Sequence, residues 1–418
     1  MKLTRIIIML SLFVMTLGLS SCKSSETVYW YVEYENGYKI SKIELGNEKV
    51  LEIPSTYKDK PVLAIGGYAF VYTTAANLQT LIIPEGIKSI GNGFLDNCDT
   101  VKKVQLPSTL EEIGEGFLCR SPVEEIEIAR NTKYKTVDGV LYTSDMQTLI
   151  KYPTGKNLKS YNVYDGVKTI GETAFFASAY LEKITLPDSV TGIGEEAFRY
   201  ANSLVELKLP ESLEKIEEAA IADCASLTEL TIPDKVESLE KRVVYSCKSL
   251  EMVTLGVGVS NICDGALSNN ENLKRIKVDD ENKTFASLNG HLVSKDVRRL
   301  IRCVSSFVGE EYNIPDGIEV IEAYACSQNS TITRLVISDS VKRVEKYAFY
   351  DCEKLSEIII GSGTEFIGEC AFGGENELKK VFFKETSGWD INLSNPIDNV
   401  NIFKSSNGYH AAHRKNNK

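Results

Sequence analysis

Cysteine is the residue type in this sequence whose spacing most directly suggests chemistry. Four of the ten cysteines occupy one position of a repeated pattern: Cys98, Cys224, Cys247 and Cys352. In an exported protein such residues can form disulfides. Neighbouring copies of the pattern would hold Cys224 and Cys247 about 4.8 Å apart with parallel side chains, and this arrangement fits disulfide geometry poorly. We therefore expect small, buried thiols.

The other residues that could carry chemistry argue against a catalytic or metal site. The sequence has no Cys-x-x-Cys pair and only three histidines, two of which, His410 and His413, lie in a polar tail; a zinc site is therefore not expected. The 58 acidic residues are spread along the chain, and a regular repeat surface offers no closed cleft to hold the carboxylate pair of a glycosidase. We expect no catalytic residues and no cofactor, and keep a hydrolase only as an alternative.

The net charge limits the possible ligands, and a repeated pattern indicates the fold. The formal net charge of −11 argues against nucleic-acid binding, which needs basic patches. An isoleucine-like residue returns every 23 residues, as at Ile170, Ile193, Ile216, Leu239 and Ile262, and again at Ile321, Val344 and Ile367. A fixed period of this length predicts a solenoid, in which each coil buries its apolar side against the next.

The copy at 181–203 shows what each coil should contain. Ile184 and Leu186 alternate with Thr185, which is the period of a short strand. Pro187 turns the chain, a second short strand should end near Ile193, and residues 195–200 suit one helical turn that buries Ala197 and Phe198. We therefore predict about fourteen coils over residues 51–383, with parallel strands on two walls and one helical turn per coil.

The pattern resembles the BspA-like leucine-rich repeats of exported proteins from Bacteroidota and other organisms. The matching stretches are LIIPEGIKSIGNGFLDNC (81–98), ITLPDSVTGIGEEAF (184–198) and VISDSVKRVEKYAFYDC (336–352). The resemblance implies a leucine-rich-repeat solenoid that adheres to host or neighbouring-cell macromolecules. It implies a binding protein and not an enzyme.

Two insertions interrupt the 23-residue step, at about 129–160 and 279–311. Residues of the first match residues of the second at an offset of 151, as for Asn131 and Asn282 or Tyr161 and Tyr312. Each carries an Asp-Gly or Asn-Gly turn between apolar runs, which predicts a β-hairpin or a small meander. His291 fills the position of Val140, so we expect a structural role for it.

The termini predict export and capping. Residues 1–22 resemble a lipoprotein signal peptide that ends in Leu-Ser-Ser-Cys, so Cys22 is the expected lipidation site and the membrane an expected partner. We expect an outer-membrane lipoprotein exposed at the cell surface. Residues 23–50 should form a linker and a capping hairpin with a two-residue turn at Asn36-Gly37, and 384–418 a C-terminal cap and polar tail.

The predicted ligand-binding surface is the outward position at the middle of each first strand. Its last three members, Val336, Ile359 and Phe382, form an apolar stripe, and exposed apolar stripes mark interaction sites. Alternatively, the C-terminal tail covers this stripe. The polar candidates are Lys208, Thr231, Thr254 and Lys277. We expect a protein or other host macromolecule as ligand and a monomer in solution. The alternative function is a scaffold or glycan-capture subunit of an envelope complex.

Overall fold

The computed structural model describes residues 26–70, 77–96, 98–304, 310–374, 377–389 and 412–413. Within them, short strands stack in parallel on two walls. Fourteen strands form the first wall, matching the predicted number of coils: β3 (Val50–Glu52), β6 (Thr80–Ile82), β8 (Lys103–Leu106), β10 (Glu125–Ile128), β14 (Ser160–Asn162), β16 (Lys183–Thr185), β18 (Glu206–Lys208), β20 (Glu229–Ile232), β22 (Met252–Leu255), β24 (Arg275–Val278), β28 (Glu311–Asn313), β30 (Arg334–Val336), β32 (Glu357–Ile360) and β34 (Lys380–Phe383).

The second wall lies across the core from the first. Its strands are β5 (Lys60–Ile65), β7 (Ser89–Ile90), β9 (Glu112–Ile113), β13 (Thr148–Lys151), β15 (Thr169–Ile170), β17 (Gly192–Ile193), β19 (Lys215–Ile216), β21 (Ser238–Leu239), β23 (Asn261–Ile262), β27 (Arg299–Arg302), β29 (Val320–Ile321), β31 (Arg343–Val344) and β33 (Phe366–Ile367). Ile184 of the first wall, Ile193 of the second and Phe198 of the turn that follows are each at most 1% exposed. The repeated apolar positions therefore form the core, as predicted.

The predicted helical turn in each coil is wrong, because the described residues contain no helix. In the copy at 181–203, Glu196 and Tyr200 have positive φ angles of 53° and 60°, which a right-handed helix excludes. The N–H of Phe198 donates to Ala220 O of the next coil at 2.8 Å, whereas that of Ala197 donates to Gly194 O at 3.3 Å. Alternate amides thus bond between coils, so that the turns stack into a third hydrogen-bonded wall. The described residues therefore contain no helix that could span a membrane.

Both insertions are three-stranded antiparallel meanders, one of the two forms expected from the sequence. The first meander is β11 (Tyr134–Val137), β12 (Val140–Thr143) and β13. The second meander is β25 (Phe285–Leu288), β26 (His291–Ser294) and β27. In both two-residue turns each residue has positive φ, at Asp138-Gly139 and at Asn289-Gly290, as a hairpin with a primed turn requires. The last strand of each meander runs parallel to its neighbour in the second wall.

Hairpin and strand pairing close both ends of the second wall. At the N-terminal end β1 (Val28–Tyr34) and β2 (Gly37–Glu44) form the expected hairpin, and β2 pairs with β5. Its turn residues are Glu35 and Asn36, one position earlier than predicted. Gly37 lies so close to Pro61 that a Cβ atom would stand 2.2 Å from the Pro61 carbonyl oxygen. A second small hairpin pairs β4 (Thr56–Tyr57) with β5.

At the C-terminal end, β35 (Ala412–His413) pairs antiparallel with β33. Part of the expected polar tail is therefore a strand of the second wall. The signal segment 1–22 and Cys22 lie outside the described residues.

Candidate binding surfaces

The first wall carries the surface predicted to bind a ligand. Val336, Ile359 and Phe382 are directly paired across β30, β32 and β34, and each is half-buried. Their side chains therefore form one short apolar ladder. Trp389, expected as part of the cap, packs on Phe383 with ring centroids 5.3 Å apart.

The polar candidates lie on the same wall in other sheets. Thr231, Thr254 and Lys277 are paired across β20, β22 and β24, and Lys208 pairs with Thr185 in the preceding sheet. The wall is divided into four sheets, so the seven candidates do not form one continuous ladder. The meanders cause two of the three breaks: the turn carbonyls of Gly139 and Gly290 accept the N–H groups of Ile126 and Ile276 at 3.2 and 2.8 Å.

Ion pairs between successive coils flank the apolar ladder. Arg334 on β30 contacts Glu311 at 2.6 Å and Glu357 at 2.8 Å, and its hydrogen bond to Glu311 lowers the pKa of that carboxyl. Exposed pairs of this kind contribute little to stability. They do fix a charged border beside Val336 and leave the ladder itself without a charge.

Two clefts in the second wall were not predicted from the sequence. The strand pairing of this wall stops between β9 and β13, between β19 and β21, and between β23 and β27. A meander enters at the first and the last of these points. A first cleft of about 270 Å³ opens beside the first meander, and a second cleft of about 310 Å³ beside the second meander. The solenoid surface is therefore less regular than expected, with an open cleft at each meander.

A buried cation accompanies each cleft. Lys151 is 1% exposed and donates to Thr173 O at 2.7 Å. Arg302 is 6% exposed and donates to the Tyr324 carbonyl oxygen. The two donors, Lys151 and Arg302, are 151 residues apart, and so are their acceptors, Thr173 and Tyr324. The offset that aligns the meanders could therefore have revealed from the sequence that the two cations correspond.

Burial also sets the protonation behaviour around the first cleft. It lowers the pKa of Lys151, because the charged ammonium is disfavoured away from water. Glu172 lines this cleft, and its pKa is raised by burial and by the nearby Glu115. Inside the core, Lys151 Nζ also lies 3.9 Å from Cys119 Sγ. No three His, Cys, Asp or Glu side chains of the described residues are placed to hold a metal ion.

The cysteines are mostly interior. Seven of the nine described cysteines are buried, including the four at the shared repeat position, and only Cys263 and Cys370 are partly exposed. Burial raises the pKa of Cys352 to about 12 and also raises that of Cys326, which keeps both thiols protonated and unreactive.

The sequence matches the model of a known protein family. The model of the BspA type leucine rich repeat region matches residues 63–164, 168–288 and 306–402 in six copies. The chain belongs to this family. It is 25% identical to a leucine-rich repeat protein of Eubacterium ventriosum of known crystal structure, with a TM-score of 0.52 over 59% of this chain and 68% of that one.

Two other crystal structures are similar at lower identity. The pneumococcal vaccine antigen PcpA is 18% identical, with a TM-score of 0.45 over 76% of this chain and 93% of that chain. A Bacteroides ovatus leucine-rich repeat protein is 20% identical, with a TM-score of 0.42 over 85% of this chain and 92% of that chain. No curated protein matches the sequence.

Proposed function

We propose that this protein is a non-enzymatic lipoprotein of the cell envelope that binds a protein or another macromolecule through the first wall. The observation that carries the proposal is the ladder of Val336, Ile359 and Phe382, three half-exposed apolar side chains in direct register. Apolar side chains held in a row on a rigid sheet supply a binding surface at little entropic cost. Membership of the BspA type family supports a recognition role, and adhesion to host or neighbouring cells is the form we favour.

The test places charge on the ladder. The double variant Val336→Asp, Ile359→Asp should reduce attachment of the labelled protein to cultured epithelial cells at least tenfold while its circular dichroism stays unchanged. Thr231→Asp with Thr254→Asp adds the same charges at paired positions of another sheet and should keep attachment. Undiminished attachment of the ladder variant, or equal losses in both variants, would contradict binding at the ladder.

Anchoring through Cys22 is a separate part of the proposal, supported by the apolar segment that precedes Cys22 and by the Leu-Ser-Ser-Cys sequence that ends in it. Metabolic labelling with radioactive palmitate should mark the wild type and not Cys22→Ser. Protease treatment of intact cells should degrade the protein if it faces outward. Resistance in intact cells, with digestion after lysis, would place it in the periplasm and remove adhesion to host cells.

A further inference from the structure

Tyr324, which stacks on Tyr347 of the next coil, lines one side of the second cleft. The rings of Tyr324 and Tyr347 lie in neighbouring coils, with centroids 5.1 Å apart and planes within 15° of each other. Tyr350 meets Tyr347 edge-on at 5.4 Å. Tyr324 lines the cleft, whereas Tyr347 does not. Since Tyr347 covers one face of the Tyr324 ring, the side of Tyr324 left for the cleft is the one away from Tyr347.

The buried guanidinium of Arg302 also lines the second cleft. Its Nη1 donates to Ser268 Oγ at 3.2 Å, to Ser327 Oγ at 3.4 Å and to the Tyr324 carbonyl. All three acceptors are neutral, and Nε is buried without any partner. A buried charge of this kind is costly unless an anion compensates it. Among the described residues, the first cleft has no buried cation of this kind in its lining, because the corresponding Lys151 does not line it.

The other charges around the second cleft neutralise one another. Arg299 pairs with Glu322 at 2.5 Å, and Asp264 pairs with Lys346 at 3.2 Å. The four charged side chains that line the cleft sum to zero, but Lys346, which does not line it, pairs with Asp264, so Arg302 is the lining charge without an ion-pair partner among the described residues. One anionic group of a ligand could therefore pair with Arg302.

We propose that the second cleft binds a sugar that carries a carboxylate, of the uronic acid type, with its ring on Tyr324 and its carboxylate on Arg302. A guanidinium binds carboxylates with strong, directed hydrogen bonds, and the apolar C–H face of a pyranose packs on an aromatic ring. The cleft volume of about 310 Å³ lies at the lower end of the range that holds small ligands. Ser260, Ser294 and Thr284 also line this cleft and give it polar walls.

A peptide ending in a free carboxylate is the competing occupant. The observations favour the sugar because the acceptor-rich lining and the flat ring serve a polyhydroxylated ring better than a chain of amides, and because the strand edges beside the cleft are short. The inference goes beyond the proposed function: it uses none of the first-wall residues.

The experiment measures binding of trigalacturonate to the full chain by isothermal titration calorimetry. The wild type should bind it at least tenfold more tightly than maltotriose, which lacks the carboxylates. Tyr324→Thr installs the residue found at position 173, beside the first cleft, and should weaken binding at least tenfold. Tyr68→Thr makes the same substitution at the same turn position of the first coil, where the ring is 58% exposed, and should leave binding unchanged.

A second variant keeps the charge and changes its shape. Arg302→Lys gives the second meander the cation of the first, so the fold should tolerate it, and loss of the guanidinium geometry should weaken trigalacturonate binding about tenfold. The wild type and all variants should share one circular dichroism spectrum.

Three results would overturn the inference. They are no binding of trigalacturonate by the wild type, equal binding of maltotriose, and full binding by Tyr324→Thr. Tighter binding of a peptide with a free C-terminal carboxylate, lost in the same variants, would assign the cleft to peptides and likewise reject the sugar. The variant Val336→Asp, Ile359→Asp should bind trigalacturonate normally, so failure of one proposal is distinguishable from failure of the other.

Discussion

The two meanders have the same backbone and different interiors. At the first, Tyr152, Tyr161 and Phe175 pack on one another with ring centroids 5.0 to 6.0 Å apart. At the second, the residues 151 positions later are Cys303, Tyr312 and Cys326, all buried. His291 replaces Val140, lies 5.5 Å from the Tyr312 ring and accepts the Val304 N–H at Nδ1. It is 1% exposed, in keeping with a structural role.

What the two regions share is the set of groups that satisfies backbone polar atoms. Asn131 and Asn282 each donate to carbonyl groups of the preceding coil and accept N–H groups of their own loop. The turn glycines and the buried cations recur as well. The shared hydrogen bonds therefore specify the meander, whereas the interior of each meander tolerates different side chains as long as it stays filled.

The largest difference should come from truncating the interior. Phe175→Ala removes a fully buried ring that stacks on Phe198 at 5.3 Å, and should lower the free energy of unfolding by about 3–5 kcal/mol. Cys326→Ala at the matching position removes one sulfur and should cost about 1 kcal/mol. Urea unfolding followed by circular dichroism measures both. Equal losses would show that the two interiors are equally sensitive to truncation.

The shared asparagines test the hydrogen-bond half of the comparison. Asn282 is fully buried, so Asn282→Ala should strand buried backbone groups and cost about 3 kcal/mol. Asn131 is only half-buried, water can replace part of its bonds, and Asn131→Ala should cost about 1 kcal/mol. The same unfolding experiment compares them. A larger loss at Asn131 would mean that exposure does not set the cost.

The buried cations should differ in their response to pH. The folded-state pKa of Lys151 lies below its ordinary 10.5 because of burial. Between the two values the unfolded chain binds more protons, so the contribution of Lys151 to stability rises with pH. Lys151→Met should therefore stabilise by about 2 kcal/mol at neutral pH, and the gain should shrink as the pH approaches 10. The variant does not leave the Thr173 carbonyl oxygen without a hydrogen bond, because this oxygen also accepts the N–H of Phe176 at 3.1 Å.

Arg302→Met is the matched variant for this test. Arginine stays protonated throughout that range, so its difference from wild type should not change between pH 7 and pH 10. Thermal unfolding across this range checks both variants. A constant effect of Lys151→Met would show that Lys151 does not change protonation on folding.

The smallest effects concern two tyrosine hydroxyls. Tyr161 Oη shares a hydrogen bond with Tyr142 Oη inside the first meander. Tyr161→Phe leaves Tyr142 without that partner and should cost about 1 kcal/mol. At the second meander Val293 stands in place of Tyr142, and the Tyr312 hydroxyl is buried without a partner. Tyr312→Phe should therefore be neutral or stabilising by up to about 1 kcal/mol, again by urea unfolding; a loss equal to that of Tyr161→Phe would contradict this.

The sequence period by itself determined the solenoid, its two walls, the register of the column through Val336 and the positions of both insertions. Each of these depends on which residues face the core at a fixed step, and apolar burial against neighbouring coils enforces that step. The sequence pattern also located the hairpin at 28–44, although its turn proved to lie one residue earlier.

Only the tertiary structure decided how backbone amides are shared between coils. The segment 195–200 suited one helical turn that buries Ala197 and Phe198, yet alternate N–H groups bond to the next coil and positive φ at Glu196 and Tyr200 prevents a helix. The clefts, Arg302 without an anion and the tyrosine stack on Tyr324 likewise arise from contacts between residues more than twenty positions apart. Such contacts depend on where a meander interrupts the stack, and the local pattern of one coil does not encode that.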